Sequence, residues 1–82
     1  MADYSDKGLS ILAFAAYHSL TSGSTVSEVV LDDGEGHRAD PDGVKELEDA
    51  GLLQADGARG RLSSEGEAAL GKVLDAIRGA VR

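Results

Sequence analysis

The sequence predicts a small α+β fold that is mainly helical and carries one short β-hairpin. Apolar residues recur at helical spacing in one segment near each end of the chain, which indicates two long helices. Between these segments, Asp40-Pro41 has the form of a helix start, and the glycine-containing stretch 56–60 has the form of a turn between two strands. With 82 residues and no cysteine, the chain is expected to form one domain, residues 1–82, without disulfide bonds.

The first helix is predicted at residues 5–20, with Ser5 or Asp6 as its N-cap. One face carries apolar residues at helical spacing, namely Leu9, Leu12, Ala13, Ala16 and Leu20. A second apolar row beside it consists of Ile11, Phe14, Ala15 and, in part, His18. Because a surface helix buries only about a third of its circumference, a second element must cover the second row. Another helix of the same chain and a second subunit both remain open as that element.

Two structures compete for the stretch that follows the first helix. Thr25, with Glu28 three residues later, has the form of a capping box and predicts a short helix over residues 26–32. The β-branched residues of the same stretch, followed by an Asp-Gly pair, instead predict a hairpin whose second strand lies at residues 37–39. We favour the helix, because it places Glu28 and Asp32 on a polar face.

Local signals define the next helix and the hairpin after it. Asp40 is a favourable N-cap, and Pro41 at the first helical position loses nothing by lacking an N–H group. The helix is predicted to continue to Ala50 and to end at Gly51, because glycine readily adopts the left-handed conformation of a helix end. Residues 52–63 are then expected to form the hairpin.

The C-terminal helix is predicted at residues 64–82, with Ser63 or Ser64 as its N-cap. Its apolar stripe consists of Leu70, Val73, Leu74, Ile77 and Val81. Together with the second row of the first helix, this stripe gives the expected interface with a second copy or another partner. The residues of that interface are Ile11, Phe14, Ala15, His18, Leu74, Ile77 and Val81.

The stretch VKELEDAGLL, followed by RGRLSSEGEAAL, resembles the winged helix-turn-helix regulators of the MarR and PadR type. The positions that match their pattern are Leu47, Glu48, Gly51, Leu52, Arg59, Arg61, Leu62, Ser63 and Gly66. The resemblance extends over residues 9–82 and implies that residues 25–51 are the helix-turn-helix and residues 52–63 the wing. By position, residues 41–50 would be the recognition helix. The DNA-contacting residues implied here are His37, Arg38, Lys45, Arg59 and Arg61.

The charge balance of the chain bears directly on this implied function. Fifteen acidic residues against eight basic ones give a net charge of −7, which opposes attraction to nucleic acid. Residues 41–50 carry four carboxylates and one lysine, so phosphates would repel this helix, whereas two arginines in residues 52–63 outnumber one aspartate. Two functions therefore remain open. One is a small transcriptional regulator, expected as a dimer, that binds DNA through its wing and third helix; the other is an acidic protein–protein interaction module that does not bind DNA.

Other classes of function find no support in the sequence. The serines and the two histidines lack the spacing of a nucleophile with its base and acid, so we expect no enzyme. A single histidine in a glycine-containing loop is not a structural zinc site, and we expect neither a metal nor a cofactor. The longest apolar run, residues 11–17, is far shorter than the roughly 20 residues that a membrane span needs. We therefore expect a soluble, cytoplasmic protein.

Overall fold

The computed structural model describes residues 4–36 and 38–81. In chain order, its elements are α1 (Asp6–Ser22), β1 (Glu28–Val30), α2 (Pro41–Asp49), β2 (Leu53–Asp56), β3 (Arg59–Leu62) and α3 (Ser64–Ala80). The fold is α+β, and α1, α2, α3 and the hairpin of β2 and β3 lie close to their predicted positions. Within the described ranges, no helix combines the length and the hydrophobicity that crossing a bilayer requires.

The predicted starts of the first two helices are confirmed. The Ser5 hydroxyl accepts a hydrogen bond from the backbone N–H of Gly8 and caps α1. The Asp40 carboxylate accepts from the N–H of Asp42 at 2.8 Å and caps α2, with Pro41 in the first helical turn. Each cap satisfies a backbone donor that has no partner inside its helix.

The chain turns out of α2 and into α3 as the local sequence predicts. Gly51 has a φ of +78°, the left-handed conformation that glycine adopts without a steric penalty. Ser63, rather than Ser64, caps α3 by accepting from the N–H of Gly66 at 3.0 Å. A Cβ atom on Gly66 would collide with the carbonyl oxygen of Leu52. The glycine therefore allows the start of α3 to pack directly under the hairpin.

The helix predicted over residues 26–32 is wrong, because this stretch contains the strand β1. Strand β1 runs antiparallel to β3, with Val29 opposite Gly60, and the sheet order is β1-β3-β2. The competing hairpin is not formed as expected either, since β3, and not residues 37–39, is the partner of β1. A single bridge joins Asp32 to Arg38 beyond the end of β1. Val29 is buried under the sheet. Because β-branched residues favour strands, the pairing of β1 with β3 outweighs the local capping signal for a helix.

The hydrophobic core lies between the sheet and the helices. Helix α1 contacts α2, α3 and β1, and α3 contacts β3. The buried apolar residues are Ile11, Leu12, Ala15, Ala16, Val29, Leu31, Leu47, Leu52, Leu53, Leu62, Leu70 and Leu74. A Cβ atom on Gly43 would collide with the carbonyl oxygen of Lys7, so α1 and α2 approach each other at backbone distance.

Helix α1 faces the core in a different rotation from the predicted one. Of the first predicted row, Leu12 and Ala16 are buried, whereas Leu9, Ala13 and Leu20 are exposed. The second row supplies the other buried side of the helix through Ile11 and Ala15. The core contact is therefore centred between the two rows, and elements of the same chain cover part of the second row.

Candidate functional site

The side chains predicted to contact DNA come from three parts of the structure. Arg38 lies in the segment before α2, Lys45 lies on α2, and Arg59 and Arg61 lie on β3. His37 lies outside the described residues. All four described cations are exposed to solvent.

Three of these four cations form ion pairs with carboxylates of the same chain. The nitrogen-to-oxygen distances are 3.7 Å for Arg38–Asp32, 2.9 Å for Lys45–Asp49 and 3.4 Å for Arg59–Glu28. The hydrogen bond to Asp49 raises the pKa of Lys45, which keeps the lysine charged. Exposed ion pairs are individually weak. Their effect here is on local charge, because a phosphate approaching any of these three cations also meets a carboxylate.

Arg61 differs from the other three cations. Within residues 4–36 and 38–81 it forms no ion pair, and it lies in register between Glu28 on β1 and Gln54 on β2. Arg59 projects from the same solvent-facing side of β3, since residues two apart on a strand share a face. A shallow depression of about 450 Å³ lies on this face and is lined by Glu28, Gln54, Ala55, Asp56, Arg59 and Arg61. With two carboxylates and two guanidinium groups, its lining is electrically balanced.

The carboxylates of α2 all have partners within the chain. Asp42 accepts a hydrogen bond from Lys7 at 3.1 Å, and Asp49 pairs with Lys45. The hydrogen bond from Lys7 to Asp42, followed by the charge of Asp40, raises the pKa of Lys7. These contacts tie the acidic side chains of α2 to the fold.

Two carboxylates of α2 accept backbone donors from other elements. Glu46 accepts from both the backbone N–H and the hydroxyl of Ser5, at 3.0 and 2.9 Å, and so supports the start of α1. Glu48 accepts from the N–H of Ala55 on β2 at 3.0 Å. Sequence reasoning missed both roles, because each partner lies at least seven positions away along the chain and belongs to another element. The acidity of α2 therefore has a structural explanation.

The predicted interface residues separate into three groups. Ile11, Ala15 and Leu74 are buried in the core of their own chain, so they are not available to a partner, and this part of the prediction is corrected. Phe14 and His18 are half-buried on α1, with ring centroids 4.6 Å apart. Ile77 and Val81 are exposed, at 39% and 85% of their surface.

Exposed apolar side chains form two rows on the helices. The α1 row consists of Leu9, Ala13, Tyr17 and Leu20, which lie three or four positions apart and so share one side of the helix. The α3 row consists of Ile77 on α3 and Val81, the C-cap residue of that helix. It continues the buried face of Leu70 and Leu74 at helical spacing, so the apolar stripe of α3 extends beyond the core.

In the described part of the chain, no group of three metal-ligating side chains converges. No family model, curated protein sequence or solved structure matches this chain.

Proposed function

We propose that this chain is a protein-interaction module that pairs with a second copy of itself through the α1 row and the α3 row, and that it does not read DNA. The observation that carries the proposal is the α3 row. Exposure rises from 2% at Leu74 to 39% at Ile77 on one face of α3 and reaches 85% at Val81, the C-cap residue. Exposed apolar surface that adjoins the core of its own chain is a candidate for contact with a partner.

Charge supports a second copy as that partner. The chain as a whole has a net charge of −7, so most faces of two copies repel each other. Residues 71–81 are an exception, because they carry Lys72 and Arg78 against Asp75. Two copies that meet at this end of α3 in a twofold interface therefore bring together segments that each carry a net charge of +1, rather than two acidic faces.

The fold itself is compatible with a winged-helix-like topology, and we include that topology in the proposal. Helix α2, the strands β2 and β3, and helix α3 follow one another in the order that the resemblance to MarR and PadR regulators implies. The helix expected at residues 26–32 is replaced by β1, which departs from a helix-turn-helix. Winged-helix-like folds support many functions, so the surface decides between them.

That surface supports protein binding over DNA binding. Arg38, Lys45 and Arg59 each have a carboxylate within 4 Å. On the exposed side of α2, Asp42, Glu48 and Asp49 accompany a single lysine. Binding to a phosphate backbone depends on uncompensated positive charge, and this surface offers little of it.

A DNA-binding regulator is the second candidate, and Arg61 is the observation that favours it. Its guanidinium lies on the face of β3 that also carries Arg59, and within the described residues no carboxylate forms an ion pair with it. Two arginines on one exposed strand are suited to contact a DNA backbone.

Titration of a fluorescent random-sequence duplex at two salt concentrations separates the two functions. Our proposal predicts no binding by the wild-type chain even at about 50 mM salt, where phosphate attraction is strong. Binding that weakens with salt, and that Arg61→Ala reduces, would favour the regulator instead. Lys72→Ala on α3 is the matched control, since it also removes one cation, but from a different element.

A further inference from the structure

The solvent-facing side of the sheet carries two diagonal pairs of opposite charges, of which only one forms an ion pair. Glu28 lies opposite Arg61 in the register of β1 with β3, yet its carboxylate pairs with the diagonal neighbour Arg59 at 3.4 Å. On the other side of β3, Asp56 lies opposite Arg59, and its diagonal neighbour is Arg61. In the described part of the chain, neither Asp56 nor Arg61 forms an ion pair.

Gln54 is a third polar side chain without a partner on this face. It lies opposite Arg61 and two positions before Asp56 on the same strand, so the three side chains share one face of the hairpin. All three are exposed, and none of them forms a side-chain hydrogen bond with another described residue. Their donors and acceptors are therefore available to a bound molecule.

These three side chains line the depression of about 450 Å³ on the sheet, together with the ion pair of Arg59 and Glu28. This volume is sufficient for a small molecule. Gln54 and Arg61 also line a second depression, of about 260 Å³. The guanidinium and the amide thus adjoin open space beyond the first depression as well, and a ligand can reach both.

The charges that line the depression select against a ligand of one sign. An anion attracted by the guanidinium of Arg61 also meets the carboxylate of Asp56, and a cation attracted by Asp56 also meets Arg61. A molecule with both a carboxylate and an ammonium group finds a partner for each charge, and the Gln54 amide can donate a further hydrogen bond to its carboxylate. Diagonal neighbours of an antiparallel pair lie about 7–8 Å apart, so the two charges of the ligand must be close together.

We propose that this depression binds a free α-amino acid, whose carboxylate is held by Arg61 and Gln54 and whose ammonium group is held by Asp56. An α-amino acid is the occupant because its two charged groups are attached to the same carbon atom, which gives the short separation that Asp56 and Arg61 require. The site lies on the sheet, apart from the α1 row and the α3 row. This inference goes beyond the proposed pairing of two copies and does not depend on it.

An NMR titration of the full chain with a panel of free L-α-amino acids tests this inference. We expect the backbone amide signals of Gln54, Asp56 and Arg61 to shift in a saturable manner with at least one of them. For the amino acid that binds most tightly, the N-acetyl derivative lacks the ammonium charge and the carboxamide lacks the carboxylate charge. Each derivative should bind roughly tenfold more weakly or worse, since each loses one charge-assisted hydrogen bond.

Two substitutions on the sheet should weaken the binding of this amino acid by roughly tenfold or more each, namely Arg61→Gln and Asp56→Asn. Both positions are exposed, so the circular dichroism spectrum of each variant should match that of the wild type. Arg38→Gln is the matched control, because it also removes one exposed guanidinium but lies outside the depression. It should bind the amino acid as well as the wild type does.

Inorganic phosphate distinguishes an amino-acid site from a simple anion site. Asp56→Asn removes a negative charge, so it should strengthen any binding of phosphate while it weakens binding of the amino acid. Phosphate that binds as tightly as the amino acid, or an N-acetyl derivative that binds as well as its parent, would show an anion site and overturn the inference. The absence of a saturable shift with every amino acid at tens of millimolar would also overturn it.

The inference and the proposed pairing of two copies fail in different ways. Ile77→Glu should disrupt pairing and leave amino-acid binding intact. If Arg61→Gln dissociated a dimer, a second copy would occupy the depression, with Arg61 of one copy on Asp56 of the other, and the amino-acid inference would be wrong. If a chain that sediments as a monomer bound the amino acid, the inference would stand and the pairing would not.

Discussion

Glu48 on α2 accepts the backbone N–H of Ala55 on β2 at 3.0 Å, so a side chain from one element closes the edge of another. This contact changes the interpretation of the acidic helix. A carboxylate that looks from the sequence like a reason for α2 to repel DNA is also a structural acceptor for the sheet. At the other edge of the sheet, the N–H of Ala39 donates to the carbonyl of Leu31 at 2.7 Å, just beyond the end of β1.

Removing this acceptor should destabilise the hairpin. Glu48→Ala leaves the Ala55 N–H without its carboxylate partner and should lower the free energy of unfolding by about 0.5–1.5 kcal/mol. Urea denaturation measures this loss, and the amide of Ala55 should exchange faster. Asp49→Ala is the control on the same helix, since its ion pair with Lys45 is exposed and its loss should cost less than about 0.5 kcal/mol. Equal effects of the two substitutions would show that Glu48 does not stabilise the edge.

Because α1 and α2 approach each other at backbone distance, there should be no room for a side chain at Gly43. Gly43→Ala places a Cβ atom against the Lys7 carbonyl oxygen and should destabilise the fold by about 1–3 kcal/mol. Gly71→Ala is the matched control, because this glycine lies inside α3 with open space around its Cβ position. That substitution should stabilise the protein by roughly 0.4–1 kcal/mol. A neutral or stabilising Gly43→Ala in the same urea series would contradict the helix crossing.

The stability of the fold should depend on Asp40 at the start of α2 and on Gly51 just after its end. Asp40→Ala removes the acceptor of the Asp42 N–H and should cost about 0.5–2 kcal/mol. Gly51→Val forces a β-branched residue to a φ of +78° and should cost more than the loss of the cap. Thermal unfolding followed by circular dichroism compares the two, and unchanged melting temperatures would mean that α2 is not capped in this way.

Structural features that depend only on neighbouring residues are predicted correctly from the sequence. The Asp40-Pro41 start, the left-handed Gly51 and the Ser63 cap each need only neighbouring residues to form. Residues 26–32 differ, because their valines suit a strand and their capping pattern suits a helix. The pairing of Val29 with Gly60 decides between them, and it joins positions 31 apart in the chain.

The candidate surfaces are harder to predict than the fold. Helix α1 is apolar around most of its circumference, so its sequence does not reveal that Leu9 and Leu20 are exposed while Ile11 is buried. The roles of Glu46 and Glu48 depend on elements that meet only after folding. The place of β1 at the edge of the sheet follows from its register with β3, whereas the sequence favours a helix at that position.

Sedimentation equilibrium of the full chain at micromolar concentration shows whether two copies of the chain pair. If the α1 row and the α3 row bind a second copy, the mass should be twice 8.4 kDa. Ile77→Glu should shift it to the monomer with the fold retained, since a carboxylate in an apolar contact is costly. Ala76→Glu, which adds the same charge to a neighbouring side of α3, should leave the dimer intact. A wild-type mass of 8.4 kDa at all concentrations would show that the chain does not pair with a second copy.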